Sequence, residues 1–315
     1  MGRLSLALAS ARAAVLGLLL ASGSALAAQA AALIHVLATT ADLAALASAV
    51  GGDLVGVESV IAPGVDPEGF EARPRDLARL RRANLVVRVG LGYDHWLDAL
   101  VERNGEARFM RGGEAAVDAS VGIALLEVSG QSVVNQGGHA HGVANPHYWL
   151  DPQNAAVITA AIAEGLTRLA PEQRERFRAN RERFLGELQT RQARWVRTLA
   201  PFAGAKFIAH HNSWPYFARR FRLDVVDFIE PKPGVAPSPA RLGQLIAQGR
   251  NKNVRAVLHE PYQPEDSSQF VAQKLKVPLL RLALSVGGVP AASDYFGLLE
   301  HNVGVIAGAL SGASR

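Results

Sequence analysis

The chain contains no cysteine. This absence removes disulfides, thiolate metal sites, cysteine nucleophiles and a lipid-modified N-terminal cysteine together. The apolar run from Ala13 to Leu20 falls short of the ~20 residues that a membrane-spanning helix needs. Neither sign of charge dominates: a net charge of +5 over 315 residues does not argue for a nucleic-acid partner. Signatures of hydrolytic and phosphoryl-transfer chemistry are missing as well, with no His-Glu-x-x-His helix, no Gly-x-Ser-x-Gly elbow and no phosphate-binding glycine loop.

The residues that are present describe a well-cored globular protein, 49% hydrophobic and 19% charged. Its length suits two ordinary domains of about 150 residues each. The N-terminus has a separate origin. Arg3 and Arg12 flank the start of the apolar run, which is followed by small residues and two Ala-x-Ala sequences, Ala25-Leu26-Ala27 and Ala28-Gln29-Ala30. That order reads as a cleavable secretory signal over residues 1–30, and its removal lowers the net charge from +5 to +3. Without a lipid-anchor cysteine the exported protein is expected to be free and monomeric, in a bacterial periplasm if that is the compartment.

From Leu33 onward apolar strand-like runs alternate with helical patterns. Strands are expected at Leu33–Ala38, Val55–Ile61 and Leu85–Val89, and helices at Asp42–Val50, Arg75–Arg82 and Tyr93–Leu100. After a weaker region through Val128 and a glycine-rich loop carrying His139 and His141, helical pattern runs from Pro152 to Leu199. It breaks near Pro171, where proline suits a first turn. The second part, Glu172–Leu199, spaces Phe177, Phe184, Leu188, Trp195 and Leu199 helically with Arg and Glu between them, as a solvated helix with one packed stripe does. The strand–helix rhythm then restarts, with strands at Ala205–Ala209, Val225–Ile229, Ala256–His259 and Pro278–Leu282 and a closing helix from Tyr295 to Leu310. The reading is an α/β protein of two similar lobes, each a parallel sheet flanked by helices, joined by one long rigid helix. The lobes would cover 31–170 and 201–315, with the connecting helix at 171–200.

Ligands of such sheets gather at the loops beyond the strand C-termini. Glu68 follows the second strand, His210-His211 follow Phe207-Ile208-Ala209, and His259-Glu260 follow Val257-Leu258. His147 sits on a lip between Pro146 and Pro152, with Tyr148 and Trp149 behind it and Asp151 placed to cap the next helix. Two facing lobes would bring these side chains to one cleft as a metal site of imidazole and carboxylate, chemistry that suits zinc, manganese or ferrous iron. Structural alternatives exist for each: Glu68 as a turn acid, His211 as a helix cap, Glu260 as a solvated loop acid. His210 should point away from His211, because neighbours on a strand alternate faces.

Several segments together resemble the substrate-binding proteins of zinc and manganese ABC transporters. They are Thr39-Thr40, Asp66-Pro67-x-x-Phe70-Glu71, Arg73-Pro74-Arg75-Asp76, Gly90-Leu91-Gly92, Pro146-His147-x-Trp149-Leu150-Asp151-Pro152, His211-Asn212 with Tyr216-Phe217, Pro237-Ser238 and Glu260-Pro261. The resemblance implies two α/β lobes tied by a rigid helix, a divalent metal held between them, and delivery to an ABC permease in the inner membrane. His147 and His211 match metal ligands of the family. Two positions depart: Glu68 stands where the family usually has histidine, and Leu282-Ala283-Leu284-Ser285 runs where it usually has aspartate. Glu68, His147, His211 and Glu260 are therefore the expected ligands, with Asp294 as a substitute for Glu260.

Two carboxylates harden the site toward manganese or ferrous iron, while the His139/His141 loop pulls toward zinc, which we place first. Release would use local loop movement and ligand exchange near Glu68 and His139. The competing readings are a metalloenzyme in which Glu260 acts as base on a metal-activated water, an adhesin or structural protein on the same fold, and a receptor for another ligand such as a chelated metal.

Overall fold

The computed structural model describes residues 33–127 and 144–312, so the expected signal segment and the loop carrying His139 and His141 lie outside the described residues. The compact unit that begins at Ile34 is built on two sheets. The first holds β1 (Ile34–Ala38), β2 (Val55–Ser59), β3 (Leu85–Arg88) and β4 (Ala116–Asp118), in the order β2-β1-β3-β4 and parallel throughout. The second holds β5 (Lys206–Ala209), β6 (Asp224–Phe228), β7 (Ala256–His259) and β8 (Leu279–Arg281), in the order β6-β5-β7-β8, again all parallel. The same winding twice is what the repeated strand–helix rhythm calls for. Leu85-Val86-Val87-Arg88 and Ala256-Val257-Leu258-His259 are buried along their whole length, as strands covered on both faces must be.

The helices are α1 (Ala41–Gly51), α2 (Pro74–Arg82), α3 (Trp96–Asn104), α4 (Asn154–Leu169), α5 (Arg174–Leu199), α6 (Pro215–Phe221), α7 (Pro239–Asn251), α8 (Asp266–Leu275) and α9 (Tyr295–Gly312). The long connecting helix is α5, preceded by one tight turn at Pro171–Gln173. Its 26 residues span about 39 Å at 1.5 Å per residue. Phe177, Phe184, Leu188, Trp195 and Leu199 form its buried stripe, packed toward α1, α4 and α9. Its outer face carries pairs one turn apart, such as Arg178 with Glu175 and Glu182 and Arg191 with Glu187.

Three local expectations need correction. Helix α3 starts at Trp96, not Tyr93, because Gly90-Leu91-Gly92 turns the chain with three successive positive φ values of 78°, 56° and 87°. Gly90 is required there twice over, since a Cβ would also lie 2.2 Å from Asp118 Oδ1. Strand β4 is an unforeseen edge strand, three residues long and without an alternating run. Helix α4 starts at Asn154, not Pro152, and Asp151 does not cap it. One Asp151 oxygen accepts a bond from the Gln153 amide at 3.0 Å, while both are engaged by Arg220 of α6 at 2.6 and 2.9 Å.

That ion pair is one of several bonds between the two sheets' surroundings. Trp149 Nε1 donates to the Leu284 carbonyl at 3.0 Å, Tyr295 donates to the Trp149 carbonyl at 2.7 Å, and Tyr216 donates to the Asn145 carbonyl at 3.0 Å. Asp42 of α1 accepts from the Val286 amide at 2.9 Å. The main hydrophobic core is likewise continuous, running from Leu43 and Leu46 through Trp149 and Trp195 to Phe217 and Leu298. These bonds hold in place the segments that carry the polar cluster.

Candidate metal centre

The lip residue His147 is buried and its ring is fixed from three sides. Tyr93 and Trp149 pack against it with centroids 5.7 and 5.3 Å away. On the third side Asn145 Oδ1 accepts from the His147 amide at 3.0 Å and faces Nδ1 at 3.1 Å. Asn145 is itself held, since its side-chain amide donates to the Asn212 carbonyl at 2.9 Å. With Nδ1 donating to Asn145, Nε2 keeps its lone pair for a ligand.

His211 follows β5 directly. The strand alternation expected there is realised, for His210 Nδ1 faces Ser268 Oγ at 2.9 Å while His211 turns the other way, toward Glu68. Ser268 also faces His259 Nδ1 at 3.0 Å, so His210 and His259 form a buried pair of their own. Burial, with His259 alongside, pushes the His210 imidazole down to about 4. His211 behaves in the opposite way. Burial alone would depress it, but the Glu230 carboxylate on Nδ1 and Glu68 on Nε2 overrule that and push it up to about 10.

Glu68 comes from the turn-rich loop after β2, where its backbone amide donates to Asp66 Oδ1 at 3.0 Å. Its Oε1 lies 3.1 Å from His211 Nε2 and 3.7 Å from His147 Nε2. The three side chains each offer a ligand atom within 4.8 Å of the others. One carboxylate and two imidazoles converging this closely suit a borderline divalent cation such as zinc. The donor set fits the metal that the sequence implies.

Of the four expected ligands, the structure brings Glu68, His147 and His211 together. Glu260 is fully buried and accepts a bond from Trp214 Nε1 at 2.7 Å; burial pushes its carboxyl up to about 7, against the pull of His211. It lies within electrostatic reach of His211 but not within the close cluster. Asp294 is exposed and accepts from the Gly297 amide at 2.7 Å, which makes it a helix-start acid. The residue that sequence reasoning passed over is Glu230, whose Oε2 sits 2.6 Å from His211 Nδ1. The rule that singles out His211 and Glu260, a polar residue just beyond a strand, applies equally to Glu230 after β6; the surrounding prolines hid it.

Beside the cluster lies a small hollow of about 20 Å³, lined by Asp42, Tyr93, Trp149, Tyr262 and Ser285 among others. Burial holds the Tyr93 and Tyr262 hydroxyls well above their ordinary range, so both stay protonated.

Comparison with known proteins identifies a family for the chain. The family model described as "ZnuA: Zinc-uptake complex component A periplasmic" matches residues 36–309. A high-affinity zinc uptake system protein ZnuA of Yersinia pestis is 26% identical over 231 residues, covering 69% of this chain and 72% of the relative. ZnuA of Bacillus subtilis strain 168 is 26% identical over 246 residues, covering 77% and 74%. Among solved structures, a crystal structure of ZnuA superimposes with a TM-score of 0.75 at 29% identity, covering 88% of this chain and 99% of that one. The manganese complex of the Pseudomonas aeruginosa protein FpvC shares the fold, with a TM-score of 0.76 at 23% identity, covering 89% and 99%. With two parallel sheets, a buried histidine–carboxylate cluster and a match over nearly the whole described chain, the protein belongs to the ZnuA family, the periplasmic component A of zinc-uptake complexes.

Proposed function

We propose that this protein is the metal receptor of an ABC-type uptake system, which captures one divalent transition metal, zinc before manganese or ferrous iron, and delivers it to a membrane permease. The observation that carries this reading is the convergence of Glu68, His147 and His211 from separate loops of two sheets onto one point. Each imidazole is held from behind, His147 by Asn145 and His211 by Glu230. Relatives named as zinc uptake proteins support zinc as the cargo. Buried Glu260 lies within electrostatic reach of His211 and outside the close group of three.

The same geometry says how capture and release are coupled to protons. Glu68 and His211 bond each other at 3.1 Å through the atoms that would face a metal, so capture replaces the proton on His211 Nε2 and release returns it. The bonds between the sheets' surroundings favour local rearrangement around the Glu68 loop over closure of whole lobes. Lobe limits of 31–170 and 201–315 around a connector at 171–200, a cleaved signal at 1–30, a periplasmic location without a lipid anchor and a monomeric state complete the reading. Transport without turnover is its chemical content; the buried carboxylates serve binding.

Competitive titration of the purified protein with zinc and manganese against a chromophoric chelator tests it. The expected result is one zinc per chain, held more tightly than manganese. Preference for manganese at the same site would change the cargo and keep the function, while failure to bind either metal would remove the receptor role.

A further inference from the structure

We infer that Glu230 is the positioning residue of the cargo site: its carboxylate holds His211 with Nε2 turned toward the metal and makes His211 a stronger donor than His147. The inference rests on the receptor reading and adds a residue that the ligand set does not contain.

The placement starts in the backbone. Beyond the last paired residues of β5 and β6, the Glu230 amide donates to the His210 carbonyl at 2.9 Å, which extends the parallel ladder and sets Glu230 beside His211. Both side chains are buried, with 5% and 6% exposure, so the bond between them is shielded from water. An ionised carboxylate only accepts hydrogen bonds. At 2.6 Å from Nδ1, Glu230 Oε2 therefore requires the hydrogen to be on Nδ1, which leaves Nε2 as the metal-facing atom once its own proton has gone. The other oxygen, Oε1, accepts from the Gly234 amide. Both oxygens are thus acceptors for fixed donors, and a carboxylate answers both where an amide, with one oxygen, answers only one.

His147 is backed differently. Its Nδ1 faces a neutral amide oxygen of Asn145 at 3.1 Å, against a charged oxygen 0.5 Å nearer for His211. Charge-assisted hydrogen bonds are roughly twice as strong as neutral ones and raise the basicity of the imidazole they back. The two histidines are unequal donors for that reason, and the inequality is set by Glu230.

The test compares wild type with Glu230→Gln, which keeps size and shape. Zinc affinity is measured by chelator competition, and the His211 ring nitrogens are observed by ¹⁵N NMR in the zinc-loaded protein. In wild type, Nδ1 should carry the proton and Nε2 the metal. The variant should bind zinc about 10–100-fold more weakly, with the His211 Nδ1 signal displaced and that of His147 unmoved. Unchanged affinity together with an unchanged His211 signature would overturn the role while leaving the receptor reading intact. Wild type that binds no zinc would overturn both. If the variant does not fold, the wild-type spectrum alone decides: a metal on His211 Nδ1 contradicts the role.

Discussion

Arg220 of α6 reaches across to Asp151, between the lip histidine and α4, and engages both carboxylate oxygens at 2.6 and 2.9 Å. Asp151 is fully buried, and Arg220 also bonds Gln153. Because Asp151 stands four residues beyond His147, this pair fixes the segment on which the metal cluster depends. Removing one partner of a buried ion pair leaves the other charge uncompensated, at a cost of about 3–5 kcal/mol. Partial exposure of Arg220, and Arg219 standing 3.7 Å from Asp151, place Arg220→Ala at the low end or below it, about 3 kcal/mol at most. Urea unfolding should show a lower midpoint at an unchanged slope; a loss below about 0.5 kcal/mol would mean that Arg219 and water compensate Asp151.

The His211 bond to Glu68 makes metal binding a proton exchange. With His211 pushed up to about 10, the metal-free site is protonated at neutral pH. Apparent zinc affinity should then rise about tenfold per pH unit from 7 to 9, beyond the ordinary histidine range. Calorimetry at about pH 7.5 in two buffers of different ionisation enthalpy should count about one proton released per zinc. Equal heats in both buffers would contradict the exchange.

Asp42 carries the opposite kind of signal. Buried, and with one oxygen on the Val286 amide, its carboxyl is pushed up to about 7. A folded value raised above the unfolded one favours folding fully below about 4. That contribution is lost as pH climbs toward 7, above which the folded state holds an ionised buried acid. Asp42→Asn should match wild type in Tm near pH 4 and exceed it by several degrees at pH 8. A difference of the same size at both values would show that the substitution acts through packing.

Metal binding should also appear as stability. A ligand that binds only the folded state at about 1,000 times its Kd adds about 4 kcal/mol, worth roughly 10 °C in Tm for a domain of this size. Zinc should raise Tm by that order, and a chelator should reverse it.

The sequence displayed the fold more fully than the site. Short apolar strands such as Leu85–Arg88, broken by helices and turn residues, mark a parallel sheet through local chemistry alone, and the stripe from Phe177 to Leu199 marks α5. Strand β4 carries no such pattern, since Ala116-Val117-Asp118 gains its identity from pairing with β3. At the site, His211 and Glu68 were legible because polar residues beyond strand ends in parallel sheets face a common edge, and His147 because it stands on a lip between Pro146 and Pro152. Glu230 and Arg220 were not: each acts through a partner 19 or 69 residues away, a distance that no local pattern records. Glu260 was expected at the cluster by the same strand-end rule; it is buried with one oxygen on Trp214 Nε1 and lies outside the three side chains that converge.

The most direct test of the metal site is the zinc content of the purified protein, by mass spectrometry after dialysis against trace zinc, for wild type, His147→Ala and Glu260→Gln. A site built from Glu68, His147 and His211 predicts one zinc per chain in wild type, one in Glu260→Gln and none retained in His147→Ala. Zinc kept by His147→Ala would place the metal somewhere other than between those three side chains, and zinc lost from Glu260→Gln while wild type holds it would contradict a site complete without Glu260.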